Sequence, residues 1–183
     1  MTEPSTKVAA AQHPRQTWAP NHPPARRSLK EALTLVAEYH GPVLDYVRVR
    51  VVADRFLKPD TFAQYAAYGV TDARDYAWDD FFVSTADGEE DDAVMVKVRE
   101  SVFESDEAIL AVLSHELFEI EKLCAEFQAE PRMTGTKIDK LIGPDRGVNF
   151  HSQAWDHADD MIRKMRERRA REGGKGEVAT DDR

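Results

Sequence analysis

The segment from Ala108 to Ile120 is apolar around nearly the whole circumference of a helix, and this constrains the fold more than any other feature. Ser105 can accept a hydrogen bond as the N-cap, and the two acids after it lie at the positive end of the helix dipole. These signals predict a long helix from Ser105 to about Gln128. A helix that is apolar on opposite faces must be covered on both of them. The chain therefore needs packing partners on two sides of this helix.

The residues before this helix predict one more helix and three strands. Ser28 can cap a helix that runs to about Tyr39, where Gly41 and Pro42 follow. Residues 46–52 alternate between apolar and charged side chains, which is typical of a strand with one face on a core. Residues 78–84 and 93–99 are two further strand candidates on either side of an acidic turn. Together they predict a small antiparallel sheet.

Two helical segments follow the long helix. Residues 136–142 can form one or two turns, and a last helix is predicted from about Asn149 to Ala170. The order of helix, strands and then long helices indicates an α+β fold. We expect the two long C-terminal helices to pack on the small sheet.

Both ends of the chain lack the pattern of a folded element. Residues 1–24 contain five prolines without a periodic apolar pattern, and residues 172–183 combine glycines and charges without apolar anchors. We predict that both segments are disordered. Residues 25–171 are then a single domain, which agrees with the usual size of one core.

Composition limits the partners and the compartment. The formal net charge of −9 argues against duplex nucleic acid as the main partner, because such binding usually needs a basic face. No run of about 18 apolar residues and no secretory signal is present, so neither a membrane span nor general export is expected. The single cysteine, Cys124, excludes an internal disulfide and a multi-cysteine zinc site. We expect a cytoplasmic protein, with export by a specialised secretion system as the alternative.

The long helix contains the motif His115-Glu116-x-x-Glu119. Residues four apart lie one turn above each other, so His115 and Glu119 point the same way and Glu116 lies about 100° further round. This spacing resembles the zinc motif H-E-x-x-H, with a carboxylate as the second ligand, and zinc accepts carboxylate oxygen. The main apolar stripe lies on the other side of the helix: Ile109, Leu110, Leu117, Ile120, Cys124 and Phe127. Because the motif side is also flanked by apolar residues, the polar groups there need a partner such as a metal; the alternative is a surface histidine paired with acids.

His151 is the candidate third ligand. It heads the apolar stripe of the last helix, which is made by Ala154, Trp155, Ala158, Met161, Ile162 and Met165. Asn149 can cap that helix, and Gly147 allows a close approach of the chain. The alternative for His151 is a hydrogen-bonded core histidine. His157 lies about 120° from this stripe, so it is predicted to be exposed or to lie at the rim of the buried stripe.

These two segments carry a resemblance to a known group of domains. The motif helix, followed by Gly147-Val-Asn-Phe-His151, resembles the zincin-like domains at the C-termini of some bacterial polymorphic toxins. Those domains pair a His-Glu-x-x-Glu helix with a following helix that begins with Asn-x-His. The similarity covers about residues 93–166. It implies a metal ion held by His115, Glu119 and His151, with Glu116 acting on the metal-bound water.

Three hypotheses follow from the sequence. The first is a zinc-dependent hydrolase of the peptidase type, which acts on a protein or peptide substrate and has Glu116 as its general base. The second is a non-catalytic interaction domain in which His115, Glu119 and His151 hold a structural metal or form hydrogen bonds in the core. The third is a nuclease that combines the same cluster with the basic residues 163–171. The substrate, the identity of the metal, the partner and the oligomeric state are open at this stage.

Overall fold

A computed structural model describes residues 26–84, 90–144 and 146–173. The predicted disordered arm, residues 1–24, lies outside the described residues, as do residues 174–183 of the predicted tail. In the described part of the chain, no helix combines the length and the apolar character that a membrane crossing requires.

Within the described residues, four α-helices form the larger part of the fold. They are α1 (Leu29–Tyr39), α2 (Asp106–Ala129), α3 (Gly135–Ile142) and α4 (Phe150–Gly173). Ser28 and Glu31 form a capping box at the start of α1, and the Ser105 hydroxyl accepts a hydrogen bond from the Ala108 amide in α2. The sequence-based predictions of these helices are confirmed. Helix α4 continues three residues past its predicted end, so Glu172 and Gly173 belong to the helix.

The strands form a mixed sheet, and the prediction of a purely antiparallel sheet was wrong. The sheet consists of β1 (Val47–Val52), β2 (Ala63–Gln64), β4 (Phe82–Ser84) and β5 (Glu90–Arg99), while β3 (Asp75–Tyr76) pairs separately with β6 (Met133–Thr134). β1 runs parallel to β5, with Val47 opposite Val94, whereas β2 and β4 run antiparallel to β5. The period-two pattern shows which face of a strand is buried, but it carries no information on strand direction.

The predicted strand at residues 78–84 is only half a strand. Trp78–Phe81 forms a 3-10 helix, and the strand begins at Phe82. The Asp80 carboxylate accepts a hydrogen bond of 2.8 Å from the Ala77 amide. Asp and Asn side chains stabilise turns in this way at the expense of strand pairing, which explains the error.

Helix α2 lies at the centre of the fold. Its residues 109–117 are all buried, as the continuous apolar pattern predicts. α1, the edge of the sheet at β2 and, most extensively, α4 pack against it. The main packing partner of α4 is therefore α2, where the sequence led us to expect direct packing of both long helices on the sheet. The core is shared by the sheet, α1, α2 and α4.

Charged side chains tie both ends of the described chain to the start of α2. The Asp106 carboxylate accepts hydrogen bonds from Arg27, before α1, and from Arg169, in α4. These two guanidinium groups hold the pKa of Asp106 below its ordinary value, although burial opposes the shift. The arrangement fixes the N-terminus of α2 against α4.

A histidine pair joins α1 to α4. Nδ1 of His40 lies 2.9 Å from Nε2 of His157, and the His157 ring stacks on Phe118 at a centroid distance of 5.0 Å. Burial, with a smaller contribution from His157, lowers the pKa of His40 from 6.5 to about 4. Burial also lowers the pKa of His157. His157 is therefore half-buried, which agrees with the predicted rim position and not with the exposed alternative.

This pair predicts a pH dependence of stability. Between pH 6.5 and 4, His40 is protonated in the unfolded chain but remains neutral in the folded protein. The free energy of unfolding should therefore fall as the pH falls. Because the ring is partly exposed and solvent screens it, we expect a loss of about 1 to 2 kcal/mol. Urea titrations of the wild type and His40→Gln across this range measure it, and the variant should lose less stability. If the free energy of unfolding fell equally in the wild type and in His40→Gln over this pH range, the prediction would be contradicted.

Candidate metal centre

Helix α2 supplies two of the three predicted ligands. His115 and Glu119 stand one turn apart, and His115 Nε2 lies 3.0 Å from Glu119 Oε1. Both side chains lie between α2 and its neighbours, with only 3% of His115 and 2% of Glu119 exposed. The apolar residues around the motif therefore bury it. A surface histidine paired with acids, the alternative interpretation from the sequence, is excluded by this burial.

Helix α4 supplies the third residue. His151 stands in the first turn of α4, and its Nδ1 lies 2.6 Å from Glu119 Oε1. The His115 and His151 ring centroids are 4.7 Å apart, and one ligand atom from each of the three residues can be chosen so that all lie within 4.8 Å of one another. The structure thus brings together the three residues that the sequence predicts as ligands.

The turn before α4 sets the position of His151. Asn149 Oδ1 accepts a hydrogen bond of 3.1 Å from the Ser152 amide, which is the predicted cap of the helix. Its amide nitrogen donates to the Gly143 carbonyl at 2.7 Å and so anchors the start of α4 to the end of α3. Gly147 has a φ of +78°, a conformation that glycine adopts readily. These hydrogen bonds of Asn149 fix where α4 begins, and the position of His151 in its first turn follows from that.

Among the described residues, two further side chains form hydrogen bonds with the cluster, and no sequence pattern predicted a role in it for either. The buried Tyr65 hydroxyl donates to Glu119 Oε2 at 3.3 Å, and the Trp155 indole nitrogen donates to His151 Nε2 at 3.2 Å. The Trp155 ring also packs on His115 with a centroid distance of 4.1 Å. Tyr65 lies in an irregular segment without any motif, so no sequence signal identifies it. Trp155 follows His151 by one helical turn, and that spacing could have identified it.

The pKa values of the two acidic side chains in the motif, Glu116 and Glu119, are shifted in opposite directions. Burial, reinforced by the negative charge of Glu119, raises the pKa of Glu116 well above its ordinary value. Burial also acts to raise the pKa of Glu119, but hydrogen bonds from His115 and His151 outweigh it and lower that pKa overall. Glu119 is therefore an anion that hydrogen-bond donors surround. Among the described residues, none donates a hydrogen bond to the buried Glu116 carboxyl.

The donor set suits a zinc ion. Two imidazoles and one carboxylate are common ligands of zinc in proteins. Tetrahedral bonds of ~2.1 Å place ligand atoms about 3.4 Å apart, whereas the nitrogen atoms lie 3.0 and 2.6 Å from Glu119 Oε1. The present distances are those of hydrogen bonds. Each of these two nitrogen-to-oxygen distances would have to lengthen by less than ~1 Å to match a coordination shell.

Cys124 and the acidic turn between β4 and β5 are not part of this cluster. Cys124 is buried in α2 and belongs to the core, as its position on the apolar stripe predicts. The acidic turn between β4 and β5 includes residues 85–89, which lie outside the described residues. Within the described parts of the chain, His115, Glu119 and His151 are the one group with the arrangement of a metal site.

Comparisons of the chain with protein-family models, with curated proteins and with solved structures found no match. The assignment of a function therefore depends on the geometry of the site.

Proposed function

We propose that this protein is a zinc-dependent hydrolase whose metal is held by His115, Glu119 and His151. The observation that carries the proposal is the state of Glu116. This carboxyl is 8% exposed, its pKa is raised, and no described residue donates a hydrogen bond to it, although it lies beside a three-residue ligand set. Catalytic zinc sites have three protein ligands and one open position, whereas structural sites have four protein ligands.

In the proposed hydrolysis, the metal and the residues around it have separate roles. Zinc, when bound, would act as a Lewis acid that lowers the pKa of water and polarises a carbonyl. Glu116 accepts the proton of the attacking water, and its raised pKa makes it a stronger base than an ordinary carboxylate. Tyr65 holds the second oxygen of Glu119 and so fixes the direction of that ligand.

The proposed reaction is hydrolysis of an amide-type bond in a protein or peptide, and the proposed compartment is the cytoplasm. A toxin-type effector role, suggested by the resemblance to zincin-like toxin domains, belongs to the same proposal. A zincin-like fold is likewise part of it. The α+β architecture with a mixed sheet is compatible with that assignment.

One observation favours the second candidate, an interaction domain with a structural metal or a metal-free cluster. Glu119 already accepts hydrogen bonds from His115, His151 and Tyr65, so the cluster can persist without a metal. Its low exposure would also restrict the access of a substrate. In this case Glu116 would have no role in catalysis.

The basic end of α4 gives no support to a nuclease. Arg166 pairs with Glu107, Arg168 with Glu38, and Arg169 with Asp106. A strand of nucleic acid would have to compete with these acids for each arginine. The nuclease hypothesis is therefore not part of the proposal.

Two measurements test the proposal. Elemental analysis of untagged protein, after zinc is added and excess metal is removed, should give one zinc per chain. Substitution with Co²⁺ then makes the coordination shell visible by absorption spectroscopy. Addition of acetohydroxamate should shift that spectrum, because an open position admits an external ligand. A spectrum that hydroxamate leaves unchanged would favour the structural site, and an absence of bound metal would favour the metal-free cluster.

A further inference from the structure

The hydrogen bond between Trp155 and His151 fixes the protonation of the histidine ring. An indole nitrogen can only donate, so His151 Nε2 must accept and carries no proton. The proton of the neutral ring is then on Nδ1, which faces Glu119 Oε1 at 2.6 Å. Both ring nitrogens of His151 are therefore engaged, one as an acceptor and one as a donor.

This arrangement has a consequence for metal binding. If a metal binds at Nε2, it must replace the indole N–H there, because the two would use the same lone pair. If a metal binds at Nδ1, the proton of that nitrogen is lost, and the neutral ring carries its proton at Nε2 instead. That proton would then face the indole N–H of Trp155, at a nitrogen-to-nitrogen distance of 3.2 Å. Two donors cannot share that position, so the indole must move in either case.

We propose that Trp155 competes with the metal for His151, so that zinc binds only when the Trp155–His151 hydrogen bond breaks. The proposal rests on the metal site proposed above and makes Trp155 a residue that sets the affinity of that site. The hydrogen bond from Trp155 stabilises the metal-free cluster of His115, Glu119 and His151 relative to the zinc-bound site. Its effect is on the ligand and not on the reacting atoms, so it is a positioning residue.

The Trp155→Phe variant tests this competition. Phenylalanine keeps an aromatic ring against His115, but it lacks the N–H that holds His151 Nε2. Since a single hydrogen bond in a protein has a modest net value, we expect the affinity for zinc to rise about tenfold. Competition with a fluorescent zinc chelator measures this affinity in the full-length protein.

Two controls accompany the variant. Trp78→Phe makes the same chemical change in an aromatic cluster with Phe81, Phe82 and Phe127, away from the candidate ligands, and it should leave the zinc affinity unchanged. Addition of zinc to the wild type should also shift the indole N–H resonance of Trp155, which is assigned by its absence in Trp155→Phe. Because the Trp155 ring lies against His115, a shift alone does not show that the hydrogen bond has broken; zinc should also speed the exchange of the indole hydrogen with solvent, and a role of Trp155 in packing alone would predict an unchanged exchange rate.

The outcomes separate this proposal from the proposed function. Tighter zinc binding by Trp155→Phe, abolished again by a second change His115→Ala, supports the competition. If the wild type binds zinc and Trp155→Phe binds it equally or more weakly, the competition is refuted and the metal site stands. If neither protein binds more zinc than its His115→Ala counterpart, the metal site itself is refuted, and the competition with it.

Discussion

The His115→Ala variant should lose zinc, with an affinity at least about 100-fold below that of the wild type. Removal of a residue that only orients a ligand already costs 10- to 100-fold in affinity, so removal of a ligand should cost at least as much. His115 is also nearly fully buried, so the variant should be less stable. Equilibrium dialysis with zinc measures the binding, and thermal melting measures the stability.

Two further variants make this result interpretable. His151 is more accessible, with 20% of its side chain exposed, so His151→Ala should lose zinc with a smaller loss of stability. His157→Ala removes a histidine from the same helix but outside the cluster, and it should bind zinc like the wild type. Equal zinc binding by His151→Ala and the wild type would show that the cluster is not the metal site. Loss of zinc in His157→Ala would place the metal at the His40–His157 pair.

The Glu116→Gln variant should keep the metal and lose activity. Glutamine has nearly the same shape, but its amide cannot accept the proton of the attacking water, so turnover should fall by roughly 100-fold or more. Hydrolysis of p-nitrophenyl acetate by the zinc-loaded protein provides a measurement that does not require the natural substrate. The metal-free variant should also melt at a higher temperature at neutral pH, because a neutral amide replaces a buried carboxyl next to Glu119.

Glu121→Gln is the matched control. It makes the same chemical change in the same helix at an exposed position, and it should leave both zinc content and turnover unchanged. An unchanged turnover in Glu116→Gln would exclude a role as general base. In that case, if zinc were still bound, the interaction domain with a structural metal would become the better explanation.

The helices and the convergence of the ligands could be predicted from the sequence, because both depend on local spacing. Caps at Ser28, Ser105 and Asn149 mark where the helices begin. The all-round apolar pattern of α2 predicts its central position. His151 could be expected near His115 because both stand on buried faces of helices that need a common interface.

The sheet and the outer contacts of the site could not be predicted in this way. The parallel pairing of β1 with β5 joins segments that are far apart in the chain, and alternation alone does not encode strand direction. Tyr65 reaches Glu119 from an irregular segment, where its position follows from tertiary packing. Trp155 was assigned to the apolar stripe of α4, although its indole nitrogen also contacts His151. An apolar stripe describes the ring of a tryptophan but not its polar nitrogen.

The parallel pairing of β1 with β5 also has a consequence for the order in which the site is assembled during folding. Val47 meets Val94 only after a long loop has closed, and the entropy of loop closure makes such contacts slow to form. The contact of Glu119 with His151, at one end of the interface of α2 and α4, spans only 32 residues of chain, so His115, Glu119 and His151 can meet earlier. Tyr65 lies in the long loop between β1 and β5 and should reach Glu119 later. We therefore expect substitutions at the interface of α2 and α4 to slow folding, and substitutions in β1 mainly to speed unfolding.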